Sequence, residues 1–314
     1  MMRRSDPPLQ RRCRYTAALL LAALLAGCGD RTPTPGPGKP RRVLDSTAEV
    51  VDTLHLGGSH EQRLLAFLRS RYGAAARLDA PWQDQWDDTD VQALRPVTRQ
   101  VCARGTVDTD GHLQHLLAVC QALDQAASVE PGRVDLYVLR DGEEHALDKD
   151  HPVAGLFGPP GRPLLVIAQR LHGEYGRHGA PGTVQIDRLG PQRHAFRITH
   201  DGSGRGHAQR SRTYVAVHND RLREVALLRE HVDNLATPHC DDAPDDCADA
   251  AFNVDFTTTV GDSDAVDGYW PLTVRSTGQD CTGPAHAYDH LIFDPRTRTY
   301  PVPGDLQREG CGED

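Results

Sequence analysis

Carboxylates crowded between two cysteines are the densest chemistry in this 314-residue chain. The run His239-Cys240-Asp241-Asp242-Ala243-Pro244-Asp245-Asp246-Cys247 sets four acids inside a span that a disulfide would close into a tight loop. Hard oxygen ligands at that density suit Ca²⁺. A second run, Gly261-Asp262-Ser263-Asp264-Ala265-Val266-Asp267-Gly268, offers three more carboxylates. Its spacing is one residue longer than the start of an EF-hand loop, and no glutamate closes it at the required distance. Asp241, Asp242, Asp245 and Asp246, or Asp262, Asp264 and Asp267, are therefore the candidate calcium ligands, set against a plainer reading of both runs as solvated acidic loops. His286 and His290 flank Asp289, but on a strand a four-residue separation spans roughly 13 Å, too far to grip one ion. The chain has no HExxH, GxSxG or Walker sequence, so no catalytic residue is named. Gly202-Ser203-Gly204-Arg205-Gly206 is glycine-rich but lies between two expected strands, and it opens no helix that could hold a phosphate.

The elements that must position these groups are mostly strands. Ser59-His60-Glu61-Gln62, followed by Leu64, Leu65, Leu68 and Tyr72, predicts a capping box and an amphipathic helix stopped by Gly73. The stretch from Asp79 to Asp90 holds Trp82 and Trp86 among acids and glutamines without a steady period. It is expected to be loop, with its indoles lying on the body of the domain. From about Val97 the pattern becomes short apolar runs broken by turn dipeptides. These runs are Leu116 to Cys120, Val134 to Leu139, Leu164 to Ala168, Val184 to Leu189, Ala195 to Thr199, Thr213 to Val217, Leu222 to Leu228, Ala251 to Thr259, Leu272 to Arg275 and His290 to Phe293. Phe252, Val254 and Phe256 alternate with Asn253, Asp255 and Thr257, as a strand with one wet face requires. No strand–helix–strand spacing recurs, so the expected fold is mainly β, an antiparallel meander with one short amino-terminal helix. Whether it closes as a sandwich, a barrel or a propeller is open at this stage. Aromatic residues are 5% of the chain, so the core is expected to be mostly Leu, Val and Ala.

The amino terminus has a different logic. Arg3, Arg4, Arg11, Arg12 and Arg14 stand against one acid, Asp6, and lead into a small-and-apolar run from Thr16 to Ala26. Eleven helical residues rise about 16 Å, roughly half of a bilayer's hydrocarbon core, which is too short for a permanent span. The segment reads as a signal peptide. It ends in Leu25-Ala26-Gly27-Cys28, and here it resembles the lipobox of bacterial lipoprotein precursors, a resemblance confined to about the first 30 residues. That resemblance implies cleavage before Cys28, lipid on Cys28 with three acyl chains, and anchoring in an envelope membrane. Gly29 stands where an aspartate accompanies inner-membrane retention in such proteins, so the outer membrane facing the periplasm is the expected site, with Asp30 one place further on. Arg31 to Pro40 alternates proline and glycine, which sustains neither helix nor strand pairing and reads as a tether. The expected organisation is residues 1–27 signal peptide, 28–45 lipidated cysteine and tether, 46–96 helix and irregular segment packing on the body, and 97–314 a disulfide-bonded β domain.

Export changes the meaning of charge and of cysteine. The full chain carries 35 basic and 44 acidic residues; cleavage before Cys28 leaves 30 against 43, a net −13. Such acidity repels nucleic-acid phosphates, so a nucleic-acid partner is not expected and a basic protein is. Besides Cys13 and Cys28, six cysteines remain, an even number for an oxidising compartment: Cys102, Cys120, Cys240, Cys247, Cys281 and Cys311. Sequence does not fix their connectivity, but loop closure favours neighbours, giving Cys102 with Cys120, Cys240 with Cys247, and Cys281 with Cys311. No CxxC pair or Cys/His spacing of the structural zinc type competes with that use. The function expected is a lipid-anchored, non-catalytic binding protein for a basic envelope or secreted protein, of inhibitor or immunity type, with no cofactor unless the acidic loops take calcium. A hydrolase working through loop carboxylates, and a structural or assembly lipoprotein, are the alternatives.

Overall fold

The computed structural model describes residues 50–307 except 55, 89–91, 110, 143–162, 205, 219–220 and 237–250. The signal segment, Cys28, the tether, Cys240, Cys247, Cys311 and the four acids of the first acidic loop lie outside the described residues. Residues 47–314 form one compact unit.

The helix α1 (His60–Tyr72) starts on the capping box read from the sequence. Ser59 Oγ accepts the Gln62 N–H at 3.4 Å, and Gln62 Oε1 accepts the Ser59 N–H at 2.8 Å. Gly73 ends it at φ 82°, where its N–H reaches the Arg69 carbonyl, a backbone conformation that a side chain would strain. Arg63, Leu64, Phe67 and Leu68 make its buried face, the spacing of one helical stripe.

Everything else of size is strand, and every strand pairing is antiparallel. The six-stranded sheet contains β1 (Asp52–Leu54), β2 (Trp82–Asp88), β3 (Ala93–Thr109), β4 (His112–Leu123), β5 (Gly132–Asp141) and β6 (Leu164–Tyr175), in the order β1-β6-β5-β4-β3-β2. The eight-stranded sheet contains β7 (Thr183–Arg188), β8 (His194–Gly204), β9 (His207–His218), β10 (Arg221–Asp233), β11 (Asn253–Val260), β12 (Leu272–Asp280) and β13 (Gly283–Pro284) in reverse chain order, with β14 (Tyr288–Leu291) also on β12. From β3 to β6 and from β8 to β12, each strand pairs with the one before it, so the mainly β antiparallel meander expected from the sequence is present, laid out as two sheets. Of the glycine-rich run, Gly202, Ser203 and Gly204 end β8, where Gly204 pairs with His207 of β9.

Alternation along the strands builds three apolar layers. Leu116, Ala118 and Cys120 of β4 and Val134, Leu136 and Val138 of β5 face Phe196, Ile198 and Val215 of the other sheet. The intervening Leu117, Val119, Tyr137 and Leu139 face Phe67 and Leu68 of α1. β4 and β5 are thus covered on both faces, which explains their near-continuous apolar sequences. A third layer on the eight-stranded sheet joins Tyr214, Val225 and Leu272 to the carboxy-terminal Phe293, Tyr300 and Leu306. Most of the largest fully buried side chains are there or in the helix layer, namely Tyr214, Tyr269, Phe293, Tyr137 and Phe67, with Phe196 between the sheets, so the core is less purely aliphatic than composition suggests.

The expected loop from Asp79 to Asp90 contains a strand. In β2, Trp82, Asp84, Trp86 and Asp88 share the more buried face, but three of the four carry out that burial through charge. Asp84 takes the Arg99 guanidinium at 2.7 Å, Asp88 takes Arg95 at 3.2 Å, and Arg133 lies over Trp86 at 3.6 Å from its ring centre. The period of two is real, but polar residues occupy both phases of it, and the basic partners lie on other strands.

Cys102 and Cys120 are disulfide-bonded, with Cα atoms 5.7 Å apart. Cys102 sits where the β3–β4 register shifts between Val101 and Ala103, so a bulge turns it toward the layer between the sheets. Cys281 is disulfide-bonded as well.

Candidate functional site

The second acidic loop places its carboxylates apart. Asp264 and Asp267 adopt positive φ of 54° and 50°, and Val266 and Tyr269 bridge the loop's neck through reciprocal 2.9 Å hydrogen bonds. Asp264 accepts the Ser263 hydroxyl at 3.1 Å, and Asp267 lies 4.0 Å from His218. Asp262, Asp264 and Asp267 are all exposed and do not converge on a common point.

Among the described residues, the side chains that do come together are His60, His115 and Asp141, each offering a ligand atom within 4.8 Å of the others. Three different elements supply them: the first turn of α1, the interior of β4 and the carboxy end of β5. His115 is only 8% exposed. Its ring lies 3.9 Å from that of His60, centre to centre, tilted by 38°. His115 Nδ1 is 3.1 Å from Thr106 Oγ1, and in the tautomer that donates to this hydroxyl, Nε2 carries the lone pair. That Nε2 lies 4.0 Å from Asp141 Oδ2, which accepts a 2.8 Å hydrogen bond from buried Arg63. Burial first, then the neighbouring His60, hold the His115 pKa below its ordinary value, against an upward pull from Asp141. His60 Nδ1, His115 Nε2 and Asp141 Oδ1 are buried with no hydrogen-bond partner. A cleft of about 260 Å³ reaches both imidazoles, with Arg104 and Glu61 along its wall 3.6 Å from one another.

A second concavity of about 290 Å³ opens at the end of the eight-stranded sheet. Its floor is Val232, Phe252, Val254 and Phe256, all buried side chains from β10, β11 and the residue preceding β11. Asp280, Asp305 and His286 stand among its lining residues, with Cys281 beside them. The Asp280 carboxylate accepts the Cys281 N–H at 2.8 Å, and Ser276 Oγ accepts the Ala287 N–H at 2.7 Å. These bonds fix the chain around the opening. An apolar floor with acids at the margin can hold an amphipathic cation: the alkyl stem lies on the rings while the charged head stays at the wet edge.

Neither site was legible as a site in the sequence. His60 was read as part of a capping box, which is present, while Asp141 is the last residue of β5. The available signal was His115, a polar residue adjoining the apolar run that starts at Leu116, since a buried imidazole needs a partner. Phe252, Val254 and Phe256 were read as one face of a strand, and Val254 and Phe256 lie in β11 with Phe252 just before it, but the acids that complete the cavity come from the end of β12 and from a short 3-10 helix, Gly304–Leu306. Compared with family models, curated proteins and solved structures, the chain matches none. The fold and sites define it as a disulfide-stapled, two-sheet antiparallel β protein.

Proposed function

We propose that the chain is a lipid-anchored envelope protein whose folded part binds a basic protein partner without catalysing a reaction on it. The observation that carries the binding reading is the cavity of the eight-stranded sheet, where Phe252 and Phe256 floor a space edged by Asp280 and Asp305. A lysine or arginine presented by a partner fits both halves of that chemistry. The net −13 of the chain from Cys28 onward supports the same reading, since it accelerates encounter with a cation before any contact forms. The lipobox at Leu25 to Cys28 supports the anchor, and the proline- and glycine-rich tether would hold the folded part up to roughly 45 Å from the bilayer.

The test captures partners from envelope extracts with the wild-type chain and with an Asp280→Asn, Asp305→Asn double variant. A basic protein retained by the wild type should bind the variant with a slower on-rate. Its association should slow steeply from about 50 to 500 mM salt, as screening shortens from ~14 Å to ~4 Å, while dissociation changes less. Recovery of acidic or neutral proteins only, or equal binding by the variant, defeats the reading. Mass spectrometry of the native protein tests the anchor separately, and an unmodified Cys28 removes it.

A further inference from the structure

We propose that His60, His115 and Asp141 form a binding site for a divalent transition-metal ion of the zinc type, distinct from the cavity of the eight-stranded sheet. The argument begins with three buried polar atoms, His60 Nδ1, His115 Nε2 and Asp141 Oδ1, that meet no partner. Buried polar groups are mostly satisfied, and of the eleven described side-chain atoms that are not, these three belong to side chains that cluster. Three in side chains whose ligand atoms converge within 4.8 Å call for a shared occupant, and their chemistry selects it. Two neutral imidazoles and a carboxylate suit zinc and its neighbours, whereas calcium takes oxygen ligands almost alone. Bonds of about 2.0–2.1 Å in a tetrahedron set donor atoms about 3.3 Å apart, so small side-chain rotations close the observed span.

The surroundings hold the donors as metal ligands are held elsewhere. Thr106 takes one nitrogen of His115 at 3.1 Å and leaves the other for the ion, and Arg63 takes Asp141 Oδ2 at 2.8 Å and leaves Oδ1. Outer contacts of this kind fix ring tautomer and carboxylate orientation. Two ligands come from strands of the most deeply covered part of the sheet, so their backbones are set before an ion arrives. Three protein ligands leave a fourth position, and the cleft that reaches His60 and His115 gives it access to solvent, the arrangement of an open zinc site and not of a closed structural one. The rival occupant is a water molecule, for which three polar partners also suffice.

The experiment uses the full chain with its disulfides intact, stripped by chelator and titrated with Zn²⁺ by calorimetry and with Co²⁺ by visible absorption. Wild type should take up one equivalent saturably at this site, and Co²⁺ should develop the intense d–d bands of four-coordination. His60→Ala and His115→Gln should each weaken that binding by at least about tenfold, while a His286→Ala, His290→Ala double variant should bind as wild type does. Zinc should also raise the Tm of wild type and not of His115→Gln. If His115→Gln does not fold, His60→Ala decides, because His60 is only half-buried at the helix start. Absence of saturable binding by wild type, or His60→Ala binding equal to it, overturns the proposal and assigns the site to water.

Discussion

Asp135 shows how much one buried carboxylate holds in this protein. It is 4% exposed and accepts the Tyr72 hydroxyl at 2.7 Å and the His172 N–H at 2.6 Å, with Arg99 at 3.7 Å. The bond to His172 secures a backbone φ of 58°, which a residue with a Cβ adopts only when its surroundings impose it. Burial, and then the Asp135 charge, push the Tyr72 pKa far up, so this hydroxyl remains a donor. Asp135→Ala should therefore cost about 3 kcal/mol or more in denaturant unfolding, because the Tyr72 hydroxyl and the His172 N–H lose this acceptor while Arg99 is left with Asp84 alone. Tyr72→Phe, which removes one hydrogen bond, should cost only about 1 kcal/mol. His231 makes a different prediction. Burial alone would lower its pKa, but hydrogen bonds to Asp255 and Asp233, each 2.8 Å, outweigh that and raise it. A raised folded-state value means that its stabilisation is fully present below the ordinary value of about 6.5 and is lost as pH rises through the raised value. The stability gap between wild type and His231→Gln should thus be wider at about pH 6 than at about pH 8.5. A gap that does not change with pH would show that the imidazolium contributes nothing.

At the scale of elements, the Cys102–Cys120 bridge fastens β3 to β4 across a bulge, at a sequence separation of 18 residues. Hydrogen bonding is interrupted there, so the covalent link stands in for lost ladder contacts. Cys102→Ser should lower unfolding stability by about 2–5 kcal/mol, and peptide mapping without reductant should recover the bridged pair from wild type. The elements also show which parts of the sequence were readable. Nine of the ten apolar runs lie wholly or largely within strands, and half of the tenth, His290 to Phe293, does, because burial on one face or both writes itself directly into residue type. The helix was readable because Ser59, Gln62 and Gly73 are local signals that need no distant partner. β2 was not readable, because Asp84 and Asp88 are buried against arginines of β3 and Trp86 against Arg133 of β5. Long-range charge pairing leaves no periodic trace. The histidine–aspartate cluster was hidden for the same reason, since His60, His115 and Asp141 meet only after the sheet and helix have packed.

For the molecule as a whole, the order of strands in space nearly repeats their order along the chain. From β2 through β6, and again from β7 through β12, each strand lies beside its predecessor. A single described connection, from Tyr175 to Thr183, passes from one sheet to the other. The exception is β1, which pairs with β6 through Asp52↔Val166, Thr53↔Leu165 and Leu54↔Leu164. A chain emerging from a ribosome or a translocation pore, amino end first, would therefore find each new strand's template already in place, except at the first strand. β1 must wait until more than a hundred residues have followed it. Loop closure over that distance is slow relative to hairpin formation. In pulse-labelled refolding, amides of β4 and β5 should gain protection early and those of β1 last. Until then β6 presents a bare edge, the point at which two half-made copies could join.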